Sequence, residues 1–126
     1  MRIHKSLFAI AVALVAAGTL SAGEKKLMHC FAFTSIPSAS QADWKAFFTA
    51  TDALPSKGLG ISHVWYGKLK RPLSVGTNSR DWGTCMEFSG EEALAKYADA
   101  PGRKAWFSAY EKVRQPGTTT YDILGQ

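Results

Sequence analysis

The chain has 126 residues, of which 46% are hydrophobic and 20% charged, and its formal net charge is +5. This length fits one domain, and this composition excludes an intrinsically disordered chain. Its two cysteines are too few for a disulfide scaffold or for a zinc site made of four thiolates.

Residues 1–23 follow the three-part pattern of a secretory signal peptide. Arg2 and Lys5 precede the apolar stretch 7–17, and small residues come next. We predict that residues 1–23 are removed and that the domain 24–126 is periplasmic or secreted. The alternative is an uncleaved anchor helix. The apolar stretch is shorter than the roughly 20 residues that span a bilayer, so no stable membrane insertion is expected after removal.

A strand and a helix open the domain. The apolar, aromatic-rich stretch 27–33 predicts the first strand, and alternation places His29 on one face and Cys30 on the other. Ser40 is expected to cap the first helix, with Asp43 as its capping-box partner. Apolar positions then recur at helical spacing, at Trp44, Phe47, Phe48, Thr51 and Leu54.

Two strands separated by a long connection occupy the middle of the domain. Residues 61–69 and 82–88 are rich in β-branched and aromatic side chains, which favour strands. Residues 70–80 contain proline, glycine and asparagine, several basic side chains and no acidic one. This composition predicts a long basic loop between the two strands.

The last part of the domain predicts two helices and a strand. Ser89 and Glu92 match the capping box S-x-x-E that begins a helix. Pro101 stands where the first residue of a further helix is expected. We predict a break at Pro116 and its following glycine, and then a strand over residues 118–124.

The element order is therefore β-α-β-β-α-β, with the second helix in two parts. This is the ferredoxin-like split-βαβ pattern of an α+β fold, with a four-stranded antiparallel sheet. Helices on one sheet face would leave Cys30, His63, Trp65 and Cys85 on the bare face. An exposed apolar patch usually marks an interface, so we expect a homodimer whose sheets face each other.

The two cysteines share this bare face on neighbouring strands. An oxidising compartment would permit an intrachain disulfide between Cys30 and Cys85. A bridge between protomers and a pair of buried free thiols are the alternatives.

Three stretches carry a resemblance to a known family. Residues 28–33 read MHCFAF, residues 64–68 read VWYGK, and residues 87–101 run from EF through EEALAKY to DAP. In this order they resemble the stress-responsive α/β-barrel (Dabb) domain over about residues 26–124. The resemblance implies that the domain pairs into a dimeric α+β barrel.

The resemblance also implies a site between the sheet and the helices, where some members of the family cyclise polyketides. It maps their first-strand histidine to His29 and their pocket tyrosine to Tyr97. Their two adjacent helix phenylalanines match Phe47 and Phe48. Their second histidine falls on Arg103, which stays charged and therefore suits holding an anion rather than moving a proton.

The candidate substrate-binding set joins the residues that the resemblance implies with the face of His29 and the aromatic helix stripes. Its members are Phe31, Phe47, Phe48, Tyr97, Arg103 and Trp106. The competing interpretation of each is an ordinary core or surface side chain.

The prediction is a homodimer that binds a small, partly apolar molecule and has a stress-related role. One alternative is a cyclase or isomerase of the polyketide-cyclase type with His29 as the base. Another is a purely structural dimerisation module. No cofactor or metal is expected, because paired His or Cys spacings are lacking, and the small positive charge excess argues against nucleic-acid binding.

Overall fold

The computed structural model describes residues 25–126, and the predicted signal peptide lies outside the described residues. Four strands and three helices follow one another along this part of the chain. They are β1 (Leu27–Ser35), α1 (Gln41–Ala53), β2 (Ile61–Val75), β3 (Asn78–Phe88), α2 (Glu91–Tyr97), α3 (Pro101–Glu111) and β4 (Arg114–Leu124).

The four strands form one antiparallel sheet in the order β2-β3-β1-β4. The α+β, ferredoxin-like fold predicted from the sequence is confirmed. The register sets Cys30 directly opposite Cys85 on β3, and His29 directly opposite Asp122 on β4. Within residues 25–126, no helix is both long and apolar enough to cross a membrane.

The hydrophobic core lies between the sheet and the helices. Every second residue of β1 and β3 points to this side, and burying one such aromatic or aliphatic side chain stabilises the fold by about 1.5–3 kcal/mol. The helices contribute the facing residues. The core comprises Leu27, Phe31, Phe33, Phe47, Leu54, Ile61, Met86, Phe88, Tyr97, Trp106, Tyr110 and Val113.

The predicted loop over residues 70–80 is wrong, because most of it belongs to a long hairpin. β2 continues to Val75, and β3 begins at Asn78 after a two-residue turn. Gly76 has a φ of +60° there, a value that suits glycine in such a turn. Pro72 is tolerated because β2 is an edge strand and its register shifts between Lys68 and Leu73.

β4 also starts earlier than predicted, at Arg114, and runs through Pro116 without a break. It is the other edge strand, and its pairing with β1 shifts register at this point. Gly117 has a φ of +96°, so the Pro-Gly pair forms an irregularity inside the strand rather than its boundary.

The two predicted capping boxes have different outcomes. At α1, the Ser40 hydroxyl accepts from the Asp43 backbone and the Asp43 carboxylate accepts from the Ser40 backbone, as predicted. At α2, the prediction is wrong because Gly90 is the N-cap and makes no side-chain cap. The backbone N–H of Ser89 instead donates to the carbonyl of Gly60 at 2.8 Å, which ties the start of α2 to the segment before β2.

Candidate functional site

A cleft of about 290 Å³ lies between the sheet and helix α3. It brings together five of the predicted site residues: His29, Phe31, Tyr97, Arg103 and Trp106. Helix α3 and strand β4 add the rest of the lining, namely Phe107, Tyr110, Arg114, Thr118 and Thr120. We call this the candidate cleft.

His29 forms a dyad with Asp122, its register partner on β4. Its Nδ1 lies 2.5 Å from Asp122 Oδ1, and the histidine side chain is 19% exposed. An ionised carboxylate only accepts hydrogen bonds, so Nδ1–H is the donor. In the neutral imidazole the lone pair then lies on Nε2, which can accept a proton from a bound molecule.

Two arginines stand at the candidate cleft and stack on one aromatic ring. The Arg103 guanidinium carbon lies 4.5 Å from the Phe107 ring centroid, and that of Arg114 lies 5.2 Å from it. Arg114 also lies 4.7 Å from the ring centroid of Tyr110. Stacking holds a guanidinium by its face and leaves its N–H edges available for planar anions.

Tyr97 and Tyr110 of the lining have buried hydroxyls that donate to no acceptor in the described part of the chain, although Arg103 lies beside the first and Arg114 beside the second. Burial raises the pKa of Tyr97 to about 12, although the charge of Arg103 acts in the opposite direction. Burial also raises the pKa of Tyr110, against the charge of Arg114. Both hydroxyls are therefore protonated near neutral pH and can donate a hydrogen bond.

Phe47 and Phe48, which the sequence assigned to the pocket, lie outside the candidate cleft. Phe47 is fully buried in the core, and Phe48 stacks on Tyr66 with ring centroids 5.3 Å apart. Trp106 does line the cleft, but its Nε1–H points to Thr51 Oγ1, 2.9 Å away. The helix α1 aromatics therefore build the core behind the cleft rather than its wall.

No helix within residues 25–126 covers the opposite face of the sheet. Cys30 and Cys85 are joined there by a disulfide, the intrachain bridge among the three alternatives. Trp65, Tyr121 and Ile123 are more than half exposed beside it. A shallow cleft of about 420 Å³ runs over this face and includes the disulfide, Trp65 and Tyr121.

Sequence reasoning missed the residues that β4 and the end of α3 bring to the candidate cleft. It also missed Asp122, which contacts His29 from outside the lining of the cleft, and whose signal was an acidic residue inside an alternating strand, where aspartate is rare. Arg114 was missed because β4 was predicted to begin four residues later. Among residues 25–126, no group of three or more histidine, cysteine or carboxylate side chains is placed to hold a metal ion.

No protein-family model matches this sequence, and no curated protein is significantly similar to it. Solved structures do match. A Dabb family protein with a ferredoxin-like fold from Mesorhizobium loti has a TM-score of 0.61 at 17% identity, covering 82% of this chain and 99% of that one. The predicted likeness to Dabb proteins is thus confirmed at the level of the fold.

Two further solved structures share this fold. A dimeric ferredoxin-like protein of unknown function from Thermobifida fusca has a TM-score of 0.61 at 15% identity, over 81% of this chain and 92% of that one. A hydroxynitrile lyase from Passiflora edulis has a TM-score of 0.65 at 8% identity, over 82% and 95%. At such identities the likeness establishes the fold, and one fold hosts many functions.

Proposed function

We propose that the protein is an exported homodimer that binds a small, partly apolar molecule in the candidate cleft. The lining of this cleft carries the proposal. His29, Tyr97 and Arg103 converge there among aromatic rings, and a few polar groups in an otherwise apolar cavity are typical of small-molecule sites. The resemblance to Dabb proteins adds a stress-related role. Residues 1–23 support export to the periplasm or the cell exterior.

The uncovered sheet face supports the homodimer. Trp65 is 83% exposed, and Tyr121 and Ile123 are each just over half exposed. Contiguous apolar patches are uncommon on monomers and usually mark interfaces. The similar structure from Thermobifida fusca is that of a dimeric protein. Two copies facing each other through their sheets would bury this patch and form a dimeric α+β barrel.

Native mass spectrometry of the protein purified from its exported compartment without reductant tests this proposal. The expected spectrum is a dimer with a reproducible additional small-molecule mass. Tyr97→Phe removes a hydroxyl from the candidate cleft and should lower the occupancy. Tyr66→Phe removes one that lies outside both the candidate cleft and the uncovered sheet face, and it is the matched control, with occupancy unchanged.

Two outcomes would contradict the proposal. A monomer would exclude the homodimer. A dimer that never carries an added mass, even after incubation with an extract of its own compartment, would favour the purely structural dimerisation module.

The His29–Asp122 dyad favours a second candidate function, that of a cyclase or isomerase. His29 Nε2 would take a proton from a carbon beside a carbonyl group, and the electron pair would move onto the carbonyl oxygen. Arg103 and the hydroxyl of Tyr97 would stabilise the negative charge on that oxygen. Asp122 would hold the imidazole in the tautomer that this step needs.

A split between affinity and turnover distinguishes catalysis from binding. With the molecule identified by mass spectrometry, His29→Ala and Asp122→Asn should retain most of the affinity and lose turnover. Asp99→Asn changes an exposed acid outside the candidate cleft and is the control. If the native protein leaves the molecule unchanged over long incubation, the catalytic candidate is excluded and the binding proposal stands.

A further inference from the structure

The candidate cleft is lined by positively charged side chains and by no negatively charged one of the described residues. Its lining includes Arg103 and Arg114 and no carboxylate. Asp122, the nearby acid, contacts His29 but does not line the cleft. Across residues 25–126, the ion pairs involve other basic side chains, and neither arginine has an acidic partner within 4 Å. Two guanidinium groups therefore share one small cleft whose lining contains no carboxylate from residues 25–126.

The buried hydroxyls add a second, independent observation. Tyr97 and Tyr110 are 5% and 3% exposed. Arg103 lies beside the Tyr97 hydroxyl and Arg114 beside that of Tyr110, but neither hydroxyl donates to an acceptor in the described residues. Buried polar groups are nearly always hydrogen-bonded in native proteins. Two hydroxyl groups without an acceptor, on residues that line the same cleft as two arginines without an acidic partner, indicate that a bound acceptor completes the site.

We propose that the ligand of this cleft is a small organic carboxylate. Arg103 and Arg114 hold the carboxylate through their N–H edges, and the hydroxyls of Tyr97 and Tyr110 donate to its oxygen atoms or to an adjacent oxygen. The guanidinium fork matches the geometry of a carboxylate, and hydrogen bonds between charged groups are the strong ones. This inference rests on the proposed function and assigns the chemical class of its ligand.

The size and the walls of the cleft limit the rest of the ligand. Its volume of about 290 Å³ lies at the lower limit of the roughly 300–1,000 Å³ usual for ligand pockets. Phe31, Trp106 and Phe107 supply flat apolar surface. A single planar ring or a short unsaturated chain attached to the carboxylate fits both constraints.

Calorimetric titration of the dimeric protein with benzoate and with benzamide tests the inference. The two probes have nearly the same shape, and only benzoate is charged. Benzoate should bind about tenfold more tightly or better, the range expected for a hydrogen bond to a charged group. The preference should shrink in high salt.

Arginine variants test whether benzoate binds in the candidate cleft. Arg114→Gln should weaken benzoate binding about tenfold and leave benzamide binding unchanged. Arg103→Gln should act in the same way, and it keeps the test decisive if the first variant folds poorly. Lys104→Gln removes a positive charge from an exposed side chain of α3 that lies outside the candidate cleft, and it is the matched control, with no change expected.

Each other outcome overturns a distinct claim. If benzamide binds as tightly as benzoate and Tyr97→Phe weakens both, the cleft is a binding site but its ligand is not an anion. If phenyl phosphate binds more tightly than benzoate, the carboxylate class is wrong. If none of these probes binds while mass spectrometry detects a bound neutral molecule, the inference fails and the proposed function survives. If nothing binds in either experiment, both fail.

Discussion

The two faces of the sheet are made of alternate residues of the same strands, yet they have different environments. On the helix side, Phe33 and Phe88 are completely buried by side chains that other elements of the same chain supply. On the other side, Trp65 is 83% exposed and Ile123 is 53% exposed. Strand alternation makes both faces apolar, and only the helices decide which of them is covered within one molecule.

The two faces of the sheet also differ in the functional groups that they carry. The helix side contains the candidate cleft, with two arginines and a histidine dyad at its edge. The uncovered side contains a disulfide and aromatic side chains. We infer that the first face binds a ligand and that the second binds another copy of the chain. Substitutions on the two faces should therefore have separable effects.

The largest effect on stability is expected from Phe33→Ala on the helix side. The Phe33 ring contacts the rings of Trp44, Phe47, Trp82 and Tyr110 and has no exposed surface. Removing a buried phenylalanine costs about 3–5 kcal/mol, because transfer free energy and packing are both lost. Urea unfolding at one fixed protein concentration measures this loss. A change below about 1 kcal/mol would contradict the described core.

The next largest effect should come from the disulfide on the uncovered face. Replacing both Cys30 and Cys85 with alanine should lower the free energy of unfolding by about 2–4 kcal/mol. The bridge joins residues 55 positions apart, and without it the unfolded chain gains conformational freedom. The native protein with reductant should lose a similar amount. Two free thiols in the native protein purified without reductant would contradict this prediction.

Thr51→Val should have a smaller effect, back on the helix side. Thr51 is fully buried, and its hydroxyl accepts from Trp106 Nε1–H while donating to the carbonyl of Phe47. Valine keeps the shape but leaves the indole N–H unpaired, which costs about 1–3 kcal/mol. Thr51→Ser retains the oxygen and should cost less. A larger loss for Thr51→Ser than for Thr51→Val would show that the methyl group, not the hydroxyl, is what matters.

Trp65→Ser should have the smallest effect on the stability of the single chain. This side chain is 83% exposed, so the expected change is within about 0.5 kcal/mol at low protein concentration. If the proposed dimer forms through this face, the unfolding midpoint of the native protein should rise with protein concentration, and that of the variant should not. A concentration-dependent midpoint in the variant would place the dimer interface elsewhere.

Much of the fold could be predicted because its signals are local. The alternation of β1, the apolar spacing of α1 and the Ser40–Asp43 capping box are each set by residues close together in the chain. The errors have a common cause. Pro72 and Pro116 read as strand breakers, but both lie in edge strands, where a proline removes no hydrogen bond that the sheet needs. Whether a strand is at an edge is a property of the assembled sheet.

The candidate site was predicted only in part for the same reason. The strand face of His29 and the helix stripe of Trp106 are local patterns, and both residues line the cleft. Phe47 and Phe48 shared such a pattern and lie elsewhere, because periodicity gives the apolar face of a helix but not the part of the molecule that it meets. The resemblance to Dabb proteins suggested Tyr97 and Arg103 as site residues, and both line the cleft.

The sequence by itself determined the element order, the antiparallel α+β fold and the placement of both cysteines on one sheet face. These follow from spacings of two to four residues and from the few ways in which such elements connect. Only the tertiary structure decided that Asp122 meets His29 across 93 residues and that Arg114 joins Arg103 on one aromatic ring. Contacts between distant residues depend on strand register and on helix packing, and no local pattern encodes either.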